Sequence, residues 1–209
     1  MKQLTEKNKK ICIIAIITLI IIAGIIVTIV MGFNKELKYS QSQSIDVYVE
    51  QEVDRNKIKN IANEVLGRNN MVETVEIYED MVTIRTKSIS EEQKNDLVNK
   101  IKENYEFKQT AEDTKVKDIP ATKLVDMYKK YILPFSISGI LVLIYMLVRY
   151  YKKGILKVLA RTILIPIILE LVLLSIIAIT RIPVGRLTPA LVIITYILAI
   201  LYVVGKNEK

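Results

Sequence analysis

Four long apolar runs, and between the first two a stretch of short alternating patterns, divide this chain. Ile11 to Val30, Ile132 to Val148, Thr162 to Thr180 and Leu187 to Val204 are almost free of charge. Each is close to the ~20 residues a helix needs to cross a ~30 Å hydrocarbon core, so all four are predicted as transmembrane helices. Tyr131 and the pair Tyr150–Tyr151 flank the second and shortest run in the manner of interfacial anchors.

After the first run the period changes. Ile45, Val47 and Val49 alternate with polar residues, which predicts a half-buried strand. Asp54 is a candidate N-cap, with Val53 and Ile58 spaced as a hydrophobic staple. Ile58, Ile61 and Val65 form the apolar stripe of the helix that follows, and Gly67 ends it. From Thr74 to Thr86 two alternating runs, Val75/Ile77 and Val82/Ile84, break at Glu79–Asp80 and predict a hairpin. Ser90 opens a second helix, with Gln93 completing a capping box and Leu97, Val98 and Ile101 turned inward. A fourth strand is expected between Glu106 and Val116. The order β-α-β-β-α-β is that of the ferredoxin-like split βαβ unit. Its length, about 75 residues, suffices for one modest core.

The expected fold class is an α-helical membrane protein, with four transmembrane helices and an extracytoplasmic α+β ferredoxin-like domain. Its parts are a cytoplasmic tail (1–10), an anchor helix (11–33), the external domain with a connecting segment (34–130), a three-helix membrane bundle (131–204) and a second cytoplasmic tail (205–209). The first run reads as a signal anchor, because it is long for a signal peptide and no small-x-small cleavage site precedes Asn34. Cys12 lies at its start, where a lipoprotein cysteine would not be.

Orientation follows from the basic residues. Lys2, Lys7, Lys9 and Lys10 precede the first run, Arg149, Lys152, Lys153, Lys157 and Arg161 lie between the second and third, and Lys206 and Lys209 follow the fourth. Both termini and the central loop are therefore expected in the cytoplasm of a bacterial cell, with residues 34–130 outside the plasma membrane. The short loop Arg181–Arg186 is the one mildly basic segment on the other side.

Charge by region removes a nucleic-acid partner suggested by the net +8. Asn34 to Lys130 holds 17 basic and 19 acidic residues, leaving 13 basic and 3 acidic elsewhere, so the basic excess sits at the membrane flanks, where it meets lipid. One cysteine and no histidine leave neither a disulfide framework nor a histidine zinc site. No enzyme constellation, cofactor motif or phosphate-binding glycine loop is present. Glu91, Glu92 and Asp96 read as charges at a helix N-terminus. Lys129 and Lys130 read as interfacial.

One residue stands against its background. Glu170 is the only ionisable side chain from Thr162 to Thr180. A carboxylate at the bilayer centre costs roughly 2.5–3.5 kcal/mol on insertion scales. Two readings stay open: a protonated Glu that only hydrogen-bonds a neighbouring helix, or a role in ion or proton coupling. Pro166, four residues earlier, leaves the Thr162 carbonyl without its helical donor, which a cavity or a neighbouring helix can compensate. Matching depths in antiparallel third and fourth helices make Thr195 or Tyr196 the expected hydrogen-bond partner of Glu170.

An anchor helix, an external ferredoxin-like domain and then a group of helices resembles the plan of the SecD/SecF protein-export family, and SecF in particular. Gly32–Phe33–Asn34 resembles the start of that family's external region. Ile132–Leu133–Pro134, leading into a helix that closes with Tyr145 and Arg149–Tyr150, resembles its next helix. Arg181 to Tyr196 resembles the approach to its Gly-Tyr-Ser. The chain departs from the pattern too. It carries four membrane helices where the family has six, Ser40 to Ser44 where the family has Gly-Gly, and Val203–Val204–Gly205–Lys206 in place of an Asp-Arg-Ile-Arg-Glu segment. The family's His-Asp is also missing; its acid would fall near Ile167, about one helical turn from Glu170. The resemblance implies a shortened SecF-like accessory subunit beside a SecD-like partner and the translocation channel, touching unfolded exported chains, with Glu170 coupled to the proton-motive force. The alternative is a membrane-anchored sensor or scaffold whose external domain binds a cell-envelope partner.

Overall fold

The computed structural model describes residues 6–75 and 78–208. In chain order the elements are α1 (Glu6–Met31), β1 (Ser42–Tyr48), α2 (Arg55–Leu66), β2 (Asn70–Val75), β3 (Tyr78–Thr86), α3 (Glu91–Asn104), β4 (Val116–Ile119), α4 (Leu124–Arg149), a 3-10 turn (Tyr151–Lys153), α5 (Ile155–Thr180) and α6 (Thr188–Glu208). They form two compact units: Lys35–Leu124, and the chain up to Asn34 together with Val125 onward.

The Lys35–Leu124 unit is an α+β domain. Its four strands lie in the order β2-β3-β1-β4, every neighbouring pair antiparallel. Alternation sets the core. Val72, Ile84, Ile45 and Val116 stand side by side across the sheet, with Val82 opposite Val47. Ile58, Ile61 and Ala62 of α2, and Leu97 and Ile101 of α3, close over this face. Both helices start at the expected caps. Asp54 accepts from the Asn56 amide (2.8 Å), and Ser90 with Gln93 completes a capping box. Gly67 ends α2 at φ 77°, a backbone conformation that favours glycine.

Two strand expectations need correction. The hairpin does not break at Glu79–Asp80; both residues belong to β3, and the Asp80 carbonyl accepts from the Val49 amide at 2.7 Å. β2 begins at Asn70, earlier than expected, because Val72 is the residue that faces Ile84 in the core. The residues joining the two strands, Glu76 and Ile77, lie outside the described part, so the expected Val75/Ile77 run falls partly there. The fourth strand is Val116–Ile119 and not Glu106–Val116. Along Asp46–Tyr48 the side chain of Gln109 takes the place of a strand: its Oε1 accepts from the Tyr48 amide (2.7 Å) and its Nε2 donates to the Asp46 carbonyl (3.4 Å).

The outer edge of β2 is blocked. Arg55 Nε donates to the Val72 carbonyl (3.1 Å) and Lys59 Nζ to the Asn70 carbonyl, so two acceptors that could pair with a further strand are occupied. Desolvation, and after it the Arg55 charge, push the Lys59 pKa below the usual lysine value.

The other unit holds four helices long and apolar enough to cross a membrane, the pattern of a multi-pass membrane protein. α4 starts at Leu124, well before the expected Ile132, and so carries Pro134 in its interior. Asp126, Lys129 and Lys130 interrupt the apolar run but continue the helix, since charge does not oppose helical geometry. Tyr150 does not face outward from the bundle as Tyr151 does. It is buried with Met146, Val158 and Val203 where α4, α5 and α6 converge, whereas Tyr131 and Tyr151 are exposed. α5 packs against both α1 and α6.

Candidate intramembrane site

The spacing of α5 explains where Glu170 points. Val158, Thr162, Pro166 and Glu170 are four residues apart and so share one face of the helix. Val158, Thr162 and Pro166 are buried on it, Val158 against Met146, Tyr150 and Val203. Both carboxyl oxygens of Glu170 are buried, and neither meets a hydrogen-bond partner among the described residues. A polar group in that state costs free energy, and native structures keep few of them.

The expected bond from Glu170 to Thr195 or Tyr196 is therefore not formed. Tyr196 is turned toward α4. Its ring meets Phe135 edge-on, with centroids 5.0 Å apart and planes at 60°. Its hydroxyl lies 3.9 Å from where a Cβ on Gly139 would be. Thr195, one position earlier on α6, is rotated about 100° from it. Matched depth placed these residues on the same level, but depth says nothing about the direction a side chain takes round its helix. Pro166 is inside α5 and buried on the Glu170 face. One turn before it, Thr162 Oγ1 donates back to the Val158 carbonyl at 2.8 Å.

Two polar clusters bound this bundle, and neither was foreseen. At one end the α5–α6 loop is tied to the end of α1. Asn34 Nδ2 donates to the Arg181 carbonyl (2.8 Å), the Val184 amide to the Asn34 carbonyl (2.7 Å), and the Arg181 guanidinium to the Gly32 carbonyl (2.5 Å). The last carbonyls of a helix lack intrahelical donors and carry its negative end, so a guanidinium there is doubly favoured. This accounts for the basic residue that sits on the unexpected side of the charge pattern. At the other end Arg149 binds the Tyr145 hydroxyl and lies 3.4 Å from Glu208, and Arg161 donates to Asn207 Oδ1 at 2.9 Å. The available signal was weak: an Asn and an Arg next to helix ends, and a polar tail after the last apolar run.

In the α+β unit Asp46 is a charged group held by two short hydrogen bonds. It accepts from Thr83 Oγ1 (2.7 Å) and Lys117 Nζ (2.6 Å). Burial acts to raise its pKa, but the hydrogen bonds from Lys117 and Thr83 and the Lys117 charge outweigh that and hold it below 3.8. The Asp46 hydrogen bond and charge in turn raise the Lys117 pKa. This pair joins β1, β3 and β4, which makes it a structural contact. Among the described residues no group of His, Cys, Asp and Glu is placed to hold a metal ion. No family model, no curated protein and no solved structure matches this chain.

Proposed function

We propose that this chain is an accessory subunit of a bacterial protein-export machinery, similar to SecF, working beside a SecD-like subunit and the translocation channel in the plasma membrane. The observation that carries the proposal is Glu170, whose carboxyl oxygens are buried without a hydrogen-bond partner among the described residues, inside an apolar helix. An intramembrane acid that packing does not satisfy is best accounted for by ion or proton movement. The element order supports the family reading. A long apolar helix precedes a β-α-β-β-α-β unit with antiparallel strand order β2-β3-β1-β4, which on this reading is ferredoxin-like, and three long apolar helices follow it. On this reading both termini and the loop between α4 and α5 are cytoplasmic, the α+β unit is outside and contacts emerging unfolded chains, and Glu170 couples its movement to the proton-motive force.

The test is crosslinking of the tagged full-length protein in its native membrane, with identification of what is captured, alongside a secretion assay on Glu170→Gln. Capture of a SecD-like subunit and the channel, with slowed secretion by the variant, is the expected result. Capture of the same partners with wild-type secretion by Glu170→Gln removes the coupling role and keeps the export role. Capture of a cell-envelope enzyme alone transfers the chain to the anchored-scaffold reading.

A further inference from the structure

Along the outer edges of the sheet, side chains close two stretches and leave a third open. Arg55 and Lys59 occupy the Val72 and Asn70 carbonyls along β2. Gln109 occupies the Tyr48 amide and the Asp46 carbonyl along the end of β1. The open stretch is β4, which pairs with β1 on one side only. The pairing pattern settles which of its main-chain groups turn outward. Val49 bonds to Asp80 of β3, and Tyr48 to Gln109 on the opposite side, so successive residues of β1 address β3 and β4 in turn. Ser44 and Ser42 therefore exchange bonds with Lys117 and Ile119, their register partners. Val116 and Asp118 turn their N–H and C=O groups the other way, and none of these groups meets a partner among the described residues.

Edge strands are usually blunted, and β4 has the short length and the lysine that serve this. Its lysine, however, does not guard the edge. Lys117 Nζ lies 2.6 Å from Asp46 Oδ2, so the ammonium is drawn back over β1 and away from the open side. Alternating outward donors and acceptors in an extended strand fit one kind of ligand, the main chain of another extended segment. A second copy of this chain is a poor one. Its β2 edge is closed, and the β4–β4 register that satisfies every outward group sets two copies of Lys117 directly opposite, where like charges weaken pairing. We infer that the outer edge of β4 is a polypeptide-binding site, taking an extended, unfolded stretch of another protein as a fifth strand through the main-chain groups of Val116 and Asp118. Main-chain bonding requires no particular sequence, and so short an edge gives weak, reversible binding. This deepens the proposed contact between the α+β unit and unfolded chains, and rests on it for the source of the occupant.

The probe is a short peptide of alternating threonine and valine, N-methylated at every second residue, which leaves it one bonding edge and prevents its self-association. A fully N-methylated version has no donor on either edge and is the control. Full-length protein in detergent is expected to bind the first roughly thirtyfold more tightly, for two donors facing β4. Bound peptide should slow hydrogen exchange at the Val116 and Asp118 amides, while those of Lys117 and Ile119, already bonded to β1, change little. Asp118→Pro removes an outward donor and no bond to β1, and should weaken the peptide about fivefold. Asp118→Ala equally loses the side-chain contact with Gln43 Nε2 (2.9 Å) but keeps the donor, and should bind as wild type does. The exchange measurement on the unaltered protein stands even where the proline variant misfolds. Failure of the first peptide to bind, equal binding of both, or unchanged Val116 and Asp118 amides overturns the inference. So does slowing of those amides with rising protein concentration and no peptide, since a second copy then holds the edge. Any of these leaves the export proposal standing, because capture of a SecD-like subunit and the channel tests that separately.

Discussion

Gly24 of α1 rests against Ser175 of α5 so closely that a Cβ added to the glycine would overlap the serine's Cβ and Oγ and come within 2.5 Å of its Cα. In a bilayer, helices associate through packing and hydrogen bonding, and small residues let their backbones approach. α1 is otherwise exposed along most of its length, so this contact fixes much of its place in the bundle. Gly24→Ala is expected to destabilise the protein by about 1–3 kcal/mol, the usual cost of overpacking. Ser175→Gly does not restore it, because the clash with the Cα remains. Gly139→Ala, with only the Tyr196 hydroxyl at 3.9 Å, is the tolerated counterpart. Equilibrium unfolding in detergent ranks the three, and an unshifted Gly24→Ala curve contradicts the packing argument.

Arg181 combines two effects that substitution can separate. Its backbone is left-handed (φ 56°), which disfavours any side chain, while its guanidinium serves the Gly32 carbonyl. Arg181→Ala keeps the backbone penalty and loses the guanidinium. Arg181→Gly loses the guanidinium but relieves a strain of roughly 1–2 kcal/mol. The expected stability order is wild type, then Gly, then Ala. Asn34→Ala, which removes the side-chain donor that ties the end of α1 to the Arg181 carbonyl, should cost about 0.5–1.5 kcal/mol. Finding Ala at least as stable as Gly at position 181 would show that the left-handed turn does not persist in solution.

The Asp46–Lys117 pair makes the α+β unit sensitive to pH at both extremes. Asp46 has a pKa lowered by folding, so its contribution is complete above 3.8 and fades as pH falls through the lower folded value. Lys117 has a pKa raised by folding, so its contribution is complete below 10.5 and fades as pH rises through the higher folded value. Between those limits the pair is intact. Hydrogen exchange at the β1 and β3 amides of the full-length protein should accelerate in acid, after correction for intrinsic rates. Asp46→Asn should exchange faster at neutral pH and lose much of that acid dependence. An Asp46→Asn protein with an unaltered acid profile would assign the sensitivity to other carboxylates.

Much of this was legible in the chain because the deciding interactions are local or periodic. The four spans, the Asp54 cap, the Ser90–Gln93 capping box and the core positions Ile45, Val47, Ile58 and Leu97 all follow from spacing within one or two turns of chain. The errors arose where distant partners decide. β3 extends through Glu79 and Asp80 because the Asp80 carbonyl accepts from the amide of Val49, the residue just past β1, which outweighs the poor strand preference of acidic residues. The segment after α3 is held by Gln109, whose bond to Tyr48 spans 61 residues. Gly24 and Asn34 gave almost no signal by themselves, since each acquires its role only when α5 is beside α1. For Glu170 the apolar run around it shows its place mid-helix and the lack of charged neighbours, but not the direction of Tyr196.

That direction makes Glu170 a test of how stability and function divide. Its buried oxygens gain nothing from their surroundings, so replacing them with hydrocarbon removes a penalty. Burying a polar group without a partner costs about 1–3 kcal/mol by mutational measures. Glu170→Leu is therefore expected to raise stability by an amount of that order, while Glu170→Gln, still polar and still unpaired, changes it little. If the residue serves ion or proton coupling, the more stable Leu protein is the inactive one, as expected where a group is retained at a structural cost. Thermal unfolding in detergent, measured beside secretion on the same variants, decides the matter. A Leu variant that is less stable than wild type reveals a partner for the carboxyl group and places Glu170 among the packing residues.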